Sequence, residues 1–301
     1  MNIIGKKYWY FIISTIIIIP GLISLYFYGL NLSIEFRGGS RLTLSFEKTV
    51  TDKQIQGIHD IFNEKKIKVA TIERSQQDVF IRTRPITQEE DQFLIEDLKI
   101  RVGNFKQSQY ETVGPTIGGE TLLNALKGLV IASVLIVLYI TFSFRKVPKP
   151  ASSFRFGIAA VVALVHDVLV LIGLFSILGH FFGVEIDSLF VTAVLTVIGF
   201  SVHDTIVVFD RIRENLKKIG GADFEQTVND SILQTLDRSF NTSLTVILVL
   251  FALLLFGGET IRWFVVALLV GIISGTYSSI FNAAPILVVW QDLVNRRRKT
   301  S

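Results

Sequence analysis

The sequence predicts a polytopic α-helical membrane protein with six transmembrane helices and a ferredoxin-like α+β domain between the first two. Half of the 301 residues are hydrophobic and 19% are charged, whereas a soluble protein of this length would carry more charge. The mean hydropathy is +0.51. One long polar stretch interrupts the apolar runs, and basic residues collect in the short segments that join them. Together these observations predict the fold class.

The N-terminal apolar run, from Tyr8 to Leu30, is about as long as a complete membrane span. A cleaved signal peptide would have a shorter apolar region, and no A-x-A-like site follows. We therefore expect an uncleaved anchor. Four regions are predicted in all: the cytoplasmic N-terminus with helix 1 (1–30), the extracytoplasmic domain (31–120), helices 2–6 with a cytoplasmic amphipathic segment at 211–238 (121–292), and a basic cytoplasmic tail (293–301).

The polar region has the element order β-α-β-β-α-β, which is the order of the ferredoxin-like fold. Alternating or β-rich runs predict strands at Ser40–Glu47, Lys66–Arg74, Asp78–Arg84 and Phe105–Val113. The first helix begins near Thr51. The second begins after Thr87, and Glu90 at its third position completes a capping box. Its predicted apolar stripe is Phe93, Leu94, Leu98 and Val102.

Five further apolar runs follow the polar region and predict the remaining spans. They cover Leu122–Phe144, Phe156–Leu178, Ser188–Phe209, Phe240–Phe256 and Trp263–Trp290. Between the fourth and fifth spans, Gly220–Asp237 is polar with apolar residues at helical spacing. This pattern is typical of an amphipathic helix lying on the cytoplasmic face, although the segment could also serve only as a connection.

The distribution of basic residues predicts the orientation. With six spans, all four basic clusters fall on one side of the membrane: Lys6/Lys7, Arg145–Arg155, Arg211–Arg238 and Arg296–Lys299. The opposite loops, 179–187 and 257–262, contain one Lys or Arg between them. The positive-inside rule then puts both termini in the cytoplasm and the α+β domain outside it.

Two predicted spans contain a His-Asp pair. Asp167 follows His166 near the middle of the third span. Asp204 follows His203 in the fourth span, about five residues and roughly 8 Å from its cytoplasmic end. Ionisable groups inside a span are costly and indicate a functional site by default. A carboxyl group there is either protonated or has a partner or water, and both conditions suit a proton relay.

The alternative is that these Asp side chains only form hydrogen bonds between helices and stabilise the bundle. For one buried Asp the two interpretations are nearly even. Two Asp residues, each after a His on successive spans, favour function. His166 and His203 are the weaker candidates, because a lone His on a helix more often serves packing or a structural hydrogen bond.

The start of the fifth span supplies further polar candidates. Arg238 is most simply a positive-inside anchor, but it could also be the counter-charge for Asp204. Asn241 and Thr242 follow it and suit an interhelical seam or a hydrated path. In the sixth span, Gly271 and Gly275 form a GxxxG pattern that predicts close helix packing.

Several functional classes are disfavoured by the sequence. The chain contains no cysteine, its four His residues lie far apart, and it has no GxxxxGK[ST] motif. It therefore has no thiolate metal site, no recognisable metal-ligand spacing and no ATP-binding loop. We expect no enzyme activity, no cofactor and no nucleic-acid partner. We also expect the spans to contact membrane lipids.

Five segments together resemble the SecF family, the smaller integral membrane subunit of the bacterial SecD–SecF protein-export complex. They are GLNLSIEFRGG (Gly29–Gly39), VGPTIGGETL (Val113–Leu122), FRFGIAAVVALVHDVLV (Phe154–Val170), IGFSVHDTIVVFDRIREN (Ile198–Asn215) and LDRSFNTSLT (Leu236–Thr245). The fourth is the most specific. In the first, the family usually has Gly-Ile-Asp-Phe where this chain has Ser-Ile-Glu-Phe.

The resemblance implies one six-helix half of a resistance-nodulation-division (RND) core, with SecD supplying the other half. It implies a complex in the bacterial plasma membrane that uses the proton-motive force to help pull secreted chains from the SecYEG channel. Protons would be the coupling ion and translocating preproteins the substrates. The family's essential Asp corresponds to Asp204 and its Arg to Arg238, while Asp167 matches the pair in the third span.

Two other interpretations remain open. A proton-coupled RND-type transporter of small molecules or lipids would share the half-core and the membrane Asp. A non-transporting membrane scaffold would use its Asp residues for stability alone. A metal enzyme built from the two His-Asp pairs is disfavoured, because nothing in the sequence brings the pairs together.

Overall fold

The computed structural model describes residues 2–145, 147–148, 152–219 and 223–300. The chain divides into two compact units, Met1–Asn31 with Lys127–Ser301, and Leu32–Leu126. The predicted basic residues Lys146 and Lys149, and Gly220 of the amphipathic segment, lie outside the described residues. The helices are α1 Lys7–Tyr28, α2 Ile34–Arg37, α3 Asp52–Glu64, α4 Gln88–Val102, α5 Pro115–Ser143, α6 Ser153–Phe182, α7 Ser188–Ile219, α8 Phe224–Phe256, α9 Glu259–Ser278 and α10 Ala284–Thr300.

Six helical segments in the described chain are long and apolar enough to cross a membrane, which confirms the predicted number. The second, α5, begins at Pro115 rather than near Leu122, because proline suits the first position of a helix. Around the centre of the bundle, α9 packs against α6, α7 and α8, and α1 packs along α6. Little of the apolar stretch of α5 is buried within the chain.

The sixth span is interrupted by a π-helical turn. The turn covers Ser279–Ala283 and joins α9 to α10. Pro285 follows it and has no N–H, so it cannot make the regular bond to the carbonyl of Phe281. The wider turn accommodates this break without ending the span.

The predicted surface helix at 220–237 does not form as a separate element. Its described part is the beginning of α8, which continues unbroken from Phe224 to Phe256. No Gly or Pro lies between the polar and apolar parts to end the helix. The amphipathic pattern is present, since Val228 and Ile232 are fully buried. Asn215 of α7 donates to Ser231 (2.9 Å), so this face packs against α7.

The α+β unit contains one antiparallel sheet in the order β2-β3-β1-β4. Its strands are β1 Gly39–Phe46, β2 Val69–Ser75, β3 Asp78–Thr83 and β4 Phe105–Val113. β1 and β3 are the central strands, and β2 and β4 are the edge strands. This is the strand order of the ferredoxin-like fold, so that prediction is confirmed. The register pairs Leu42 with Ile81, and a bulge beside Thr43 shifts the pairing with β4.

The two longer helices that pack on the sheet, α3 and α4, begin with capping boxes. Thr51 caps α3 together with Gln54, and Thr87 caps α4 together with Glu90, as predicted. Leu94, Leu98 and Val102 enter the core with the inner faces of the strands. The prediction for Phe93 was wrong, because its side chain is 65% exposed and Ile95 is buried instead.

Gly38 and Gly39 lie where the chain enters β1, and both have positive φ angles, 75° and 140°. A Cβ on Gly38 would lie 2.6 Å from the Cα of Pro115 at the start of α5. The glycine pair therefore allows two backbone segments of this unit to touch, which no larger residue would permit.

Candidate functional site

Close contact between α7 and α9 brings the polar residues of the bundle together. A Cβ on Gly275 would lie 2.9 Å from the Cβ of Ser201, and one on Gly271 would collide with Val197. The GxxxG pattern thus lets the two backbones approach, as predicted. Hydroxyl groups on α9 consequently lie within hydrogen-bonding distance of side chains on α6 and α7.

Asp167 of α6 is the best-bonded carboxylate in this region. It is 1% exposed. Three hydroxyl groups donate to it at short distances: Ser201 at 2.6 Å, Ser274 at 2.8 Å and Ser278 at 2.7 Å. Its oxygens therefore connect α6 to both α7 and α9, an arrangement that stabilises helix association.

His166 adds a fourth contact to the same carboxylate. Its Nδ1 lies 3.0 Å from Oδ1 of Asp167. Its Nε2 is buried and has no hydrogen-bond partner among the described residues. The third-span His-Asp pair is therefore a local unit, in which the imidazole contacts the carboxylate that follows it.

Asp204 of α7 is equally buried but much less well bonded. It is 2% exposed. Ser243 and Thr276 approach its Oδ2 at 3.5 and 3.4 Å, near the limit for a hydrogen bond. Both hydroxyls have shorter contacts, 2.6 Å to each other and 2.9 Å from Thr276 to the carbonyl of Ile272. The Asp204 carboxyl group is thus enclosed without a strong donor among the residues that the structure describes.

Arg238 lies at the same end of the bundle but is not in direct contact with Asp204. Within the described residues, no ion pair of 4.0 Å or less joins Arg238 to a carboxylate. Asp204 and Arg238, the predicted charge pair, are therefore not joined by an ion pair in this structure.

A polar cavity of about 520 Å³ lies between α5, α7 and α8 beside Arg238. Val207, one helical turn beyond Asp204, forms part of its wall. Asp210 and Glu214 also line it. Arg211 bonds Glu214 and Gln234 across it, each at 2.6 Å. The cavity is large and polar enough to hold several water molecules.

The remaining predicted polar residues lie outside this cluster. His203, Asn241 and Thr242 are all exposed on the surface of the isolated chain. His203 is exposed while Asp204 is buried, so these two neighbouring residues lie on different faces of α7. Thr242 donates to the carbonyl of Arg238 in its own helix. The two His-Asp pairs do not combine into a metal-ligand group within the described chain.

Sequence reasoning missed Ser274 and Thr276, two of the three α9 residues that reach the two carboxylates. Small hydroxyl residues in an apolar span are common packing residues, so neither was conspicuous. The spacing of Ser274 and Ser278 could have indicated this site. These two residues are four apart, on either side of Gly275, and therefore share one face of the helix that contacts α7.

The fold and site define an integral membrane protein in which carboxylates are buried between spans, as is typical of ion-coupled transport proteins. A family profile described as "Protein export membrane protein SecD/SecF, C-terminal" matches residues 95–293. Another, described as "SecD/SecF GG Motif", matches residues 23–50 and includes the Gly38-Gly39 pair. The chain belongs to the SecD/SecF family of protein export membrane proteins, which confirms the resemblance seen in the sequence.

Full-length relatives are named as SecF. The chain is 48% identical over 305 residues to the protein translocase subunit SecF of Thermobaculum terrenum, covering 97% of this chain and 94% of that protein. It is 44% identical over 295 residues to SecF of Anaerolinea thermophila, with the same coverage. These names describe translocase subunits, which are transport components rather than enzymes.

Longer relatives are named as SecDF. The protein translocase subunit SecDF of Bacillus subtilis is 35% identical over 95% of this chain and 38% of its own length. The crystal structure of SecDF from Thermus thermophilus, described as a translocon-associated membrane protein, matches with a TM-score of 0.84 and 32% identity. The match covers 97% of this chain and 39% of that one. The chain thus spans well under half the length of these SecDF proteins.

Proposed function

We propose that this chain is one subunit of a membrane complex that uses the proton-motive force to assist Sec-dependent protein export. It would pull or release translocating chains on the extracytoplasmic side. The family assignment supports the export role. The single observation that carries the proton coupling is Asp204, a buried carboxyl group without a strong donor, near an arginine that is not bonded to it.

The proposed complex has a second half supplied by SecD. The SecDF relatives support this, because in them a chain like this one occupies less than half of a longer polypeptide. SecYEG and the translocating preprotein are the further proposed partners. The complex would lie in the bacterial plasma membrane, with both termini of this chain cytoplasmic and the α+β unit outside, as the basic residues indicate.

The proposed switch is the charge of Asp204. A protonated Asp204 is a neutral side chain that tolerates its apolar surroundings. An ionised Asp204 attracts the positive charge of Arg238 and accepts a stronger hydrogen bond from the hydroxyl of Thr276. The two forms of Asp204 therefore favour different packing of α7, α8 and α9. One proton crossing the membrane potential releases about 2.3 kcal/mol per 100 mV. That is enough to shift a two-state equilibrium more than tenfold.

The change would reach the outside through α1. This helix packs closely on α6, since a Cβ on Gly21 would lie 2.7 Å from the Cα of Gly173. Ser24 and Ser176 are hydrogen-bonded at 2.9 Å, and Asn31 donates to the carbonyl of Gly183. Because α5 is barely buried, α1 is the better-coupled of the two helices that flank the α+β unit.

The experiment is proton-gradient-dependent release of an exported protein from membrane vesicles containing the assembled complex. Asp204→Asn keeps the size of the side chain but cannot ionise, so we expect the gradient-dependent part of release to disappear. Asp230→Asn is the matched control, because this half-buried carboxylate of α8 accepts a hydrogen bond from Gln226 of its own helix. Unchanged release in Asp204→Asn, at equal complex levels, would contradict proton coupling and favour a scaffold or a transporter of another substrate.

A further inference from the structure

A row of five hydroxyl residues follows the buried face of α8. They recur at every fourth position and are all at most 7% exposed: Thr227, Ser231, Thr235, Ser239 and Ser243. Residues four apart lie one above the other on a helix, so these side chains form a single file. The file ends at Ser243, which contacts Asp204. We call it the α8 hydroxyl row.

Four members of the row have hydrogen bonds. Thr227, Ser231 and Thr235 each donate to the backbone carbonyl four residues earlier, at 2.7, 2.6 and 3.0 Å. Ser243 exchanges a bond of 2.6 Å with Thr276. A satisfied hydroxyl of this kind needs no further partner and is common in helices.

Ser239 is the exception. It is 2% exposed, yet its Oγ has no hydrogen-bond partner in the part of the chain that the structure describes. Leaving a buried hydroxyl unpaired is unfavourable, and buried polar groups of this kind are normally satisfied by a protein atom or an internal water. The oxygen does not turn back to its own helix as its neighbours do, so it is available to a bound water.

The position of Ser239 gives that water a role. One turn to one side is Ser243, which reaches Asp204. One turn to the other is Thr235, which lines the polar cavity together with Arg238. Successive members of the row are about 6 Å apart along the axis, a gap that two hydrogen bonds through a water can bridge but a direct bond cannot.

We propose that Ser239 holds an internal water that carries protons between Asp204 and the cavity between α5, α7 and α8. The proposal rests on the proposed function, in which Asp204 exchanges protons. In each transfer the water accepts one proton from the Asp204 carboxyl group and passes another toward the cavity, so the water and Ser239 are unchanged afterwards. Ser239 is a positioning residue, since it orients the water and does not itself keep the proton.

The test uses infrared difference spectroscopy on the full chain, assembled with its partner in lipid vesicles, after a pH jump. The Asp204 carboxyl band is identified by its loss in Asp204→Asn. In Ser239→Ala we expect protonation of Asp204 to slow about tenfold, the effect on a barrier of roughly one lost hydrogen bond. A water band that shifts in H₂¹⁸O is expected to vanish in the same variant. Ser239→Thr keeps the hydroxyl and is expected to restore both.

Two further variants make the result specific. Thr227→Val removes a hydroxyl of the same row that is already bonded to its own helix, and we expect wild-type kinetics. Ser239→Cys is slightly larger than serine but is only a weak hydrogen-bonding group, so it is expected to behave like Ser239→Ala. An unchanged protonation rate and water band in both Ser239→Ala and Ser239→Cys would overturn the role of Ser239 alone. Absence of any Asp204 carboxyl signal in the wild type would overturn the proposed function itself.

Discussion

Asp167 and Asp204 follow a histidine on successive spans, yet the bundle treats the two carboxyl groups differently. Asp167 accepts three hydroxyl bonds of 2.6 to 2.8 Å and contacts His166. Asp204 has only two hydroxyls nearby, at 3.4 and 3.5 Å. Their exposed fractions, 1% and 2%, are almost the same. Burial therefore does not distinguish them, and the supply of donors does.

We propose that this difference in donors gives the two carboxyl groups separate roles. Several short donors favour one fixed arrangement of helices, because breaking it would leave Asp167 and the hydroxyls of α7 and α9 that donate to it without partners. A carboxyl group without strong donors can lose or gain a proton at lower structural cost. Asp167 is thus suited to holding α6, α7 and α9 together, and Asp204 to responding to protons. This sharpens the earlier expectation, in which both were relay candidates.

Replacing the two carboxylates tests the comparison most directly. Asp167→Ala is expected to lower the free energy of unfolding by roughly 2 kcal/mol or more, since interhelical hydrogen bonds in membranes contribute about 0.6 kcal/mol on average and up to about 1.7. Asp204→Ala is expected to cost less than about 1 kcal/mol, because its contacts are long. Detergent unfolding followed by tryptophan fluorescence measures both. Equal losses would show that the donor set does not separate the two sites.

The α7–α9 contact should be the next most sensitive feature. Gly275→Ala puts a Cβ against Ser201, which donates to Asp167, so we expect a loss of about 1 kcal/mol or more from overpacking. Gly199→Ala on α7 is the matched control, because a Cβ there meets nothing within 4 Å. It should be neutral or stabilising by up to about 1 kcal/mol. The same unfolding assay applies, and a stable Gly275→Ala would contradict the need for close approach.

A third buried carboxylate, Asp91 in the α+β unit, extends the comparison outside the membrane spans. It is 6% exposed and accepts two bonds from Gln107. Burial raises the pKa of Asp91 above its ordinary 3.8, an effect only partly opposed by the Gln107 bond. The folded state therefore favours the protonated form. Its stabilising contribution is full below pH 3.8 and is lost as the pH rises through the folded-state pKa.

Asp91→Asn is accordingly expected to raise the stability of this unit at neutral pH, by about 0.5 to 1 kcal/mol. The gain should vanish at low pH, where wild-type Asp91 is already neutral. Hydrogen exchange of the strand amides in the intact protein measures this difference across pH. Glu90 also titrates differently in the folded state, because its hydrogen bond with Arg84 lowers its pKa. Its contribution to the pH dependence is the same in variant and wild type, so it cancels in the comparison. A gain that is independent of pH would rule out ionisation of Asp91 as the cause.

Sequence periodicity and capping predicted most of the fold. Thr87 and Glu90 placed the start of α4 correctly, because a capping box is a local arrangement of neighbouring residues. Phe93 was misassigned, since a helix with several apolar faces does not by itself show which one meets a sheet. The prediction of a separate surface helix at 220–237 was wrong for a related reason. Its buried face packs against α7, and periodicity along the sequence does not show what covers an apolar face.

The amino-acid sequence alone was enough to predict the set of spans, the domain between them and two costly carboxylates in successive apolar runs. These properties depend on length, composition and local pattern. The tertiary structure was needed to show which hydroxyls reach Asp167, that Arg238 lines the cavity beside α7, and that Ser239 has no hydrogen-bond partner among the described residues. These features depend on distances between helices. The close glycine contacts and the π-helical turn set those distances, and the spacing of residues along the chain does not predict them.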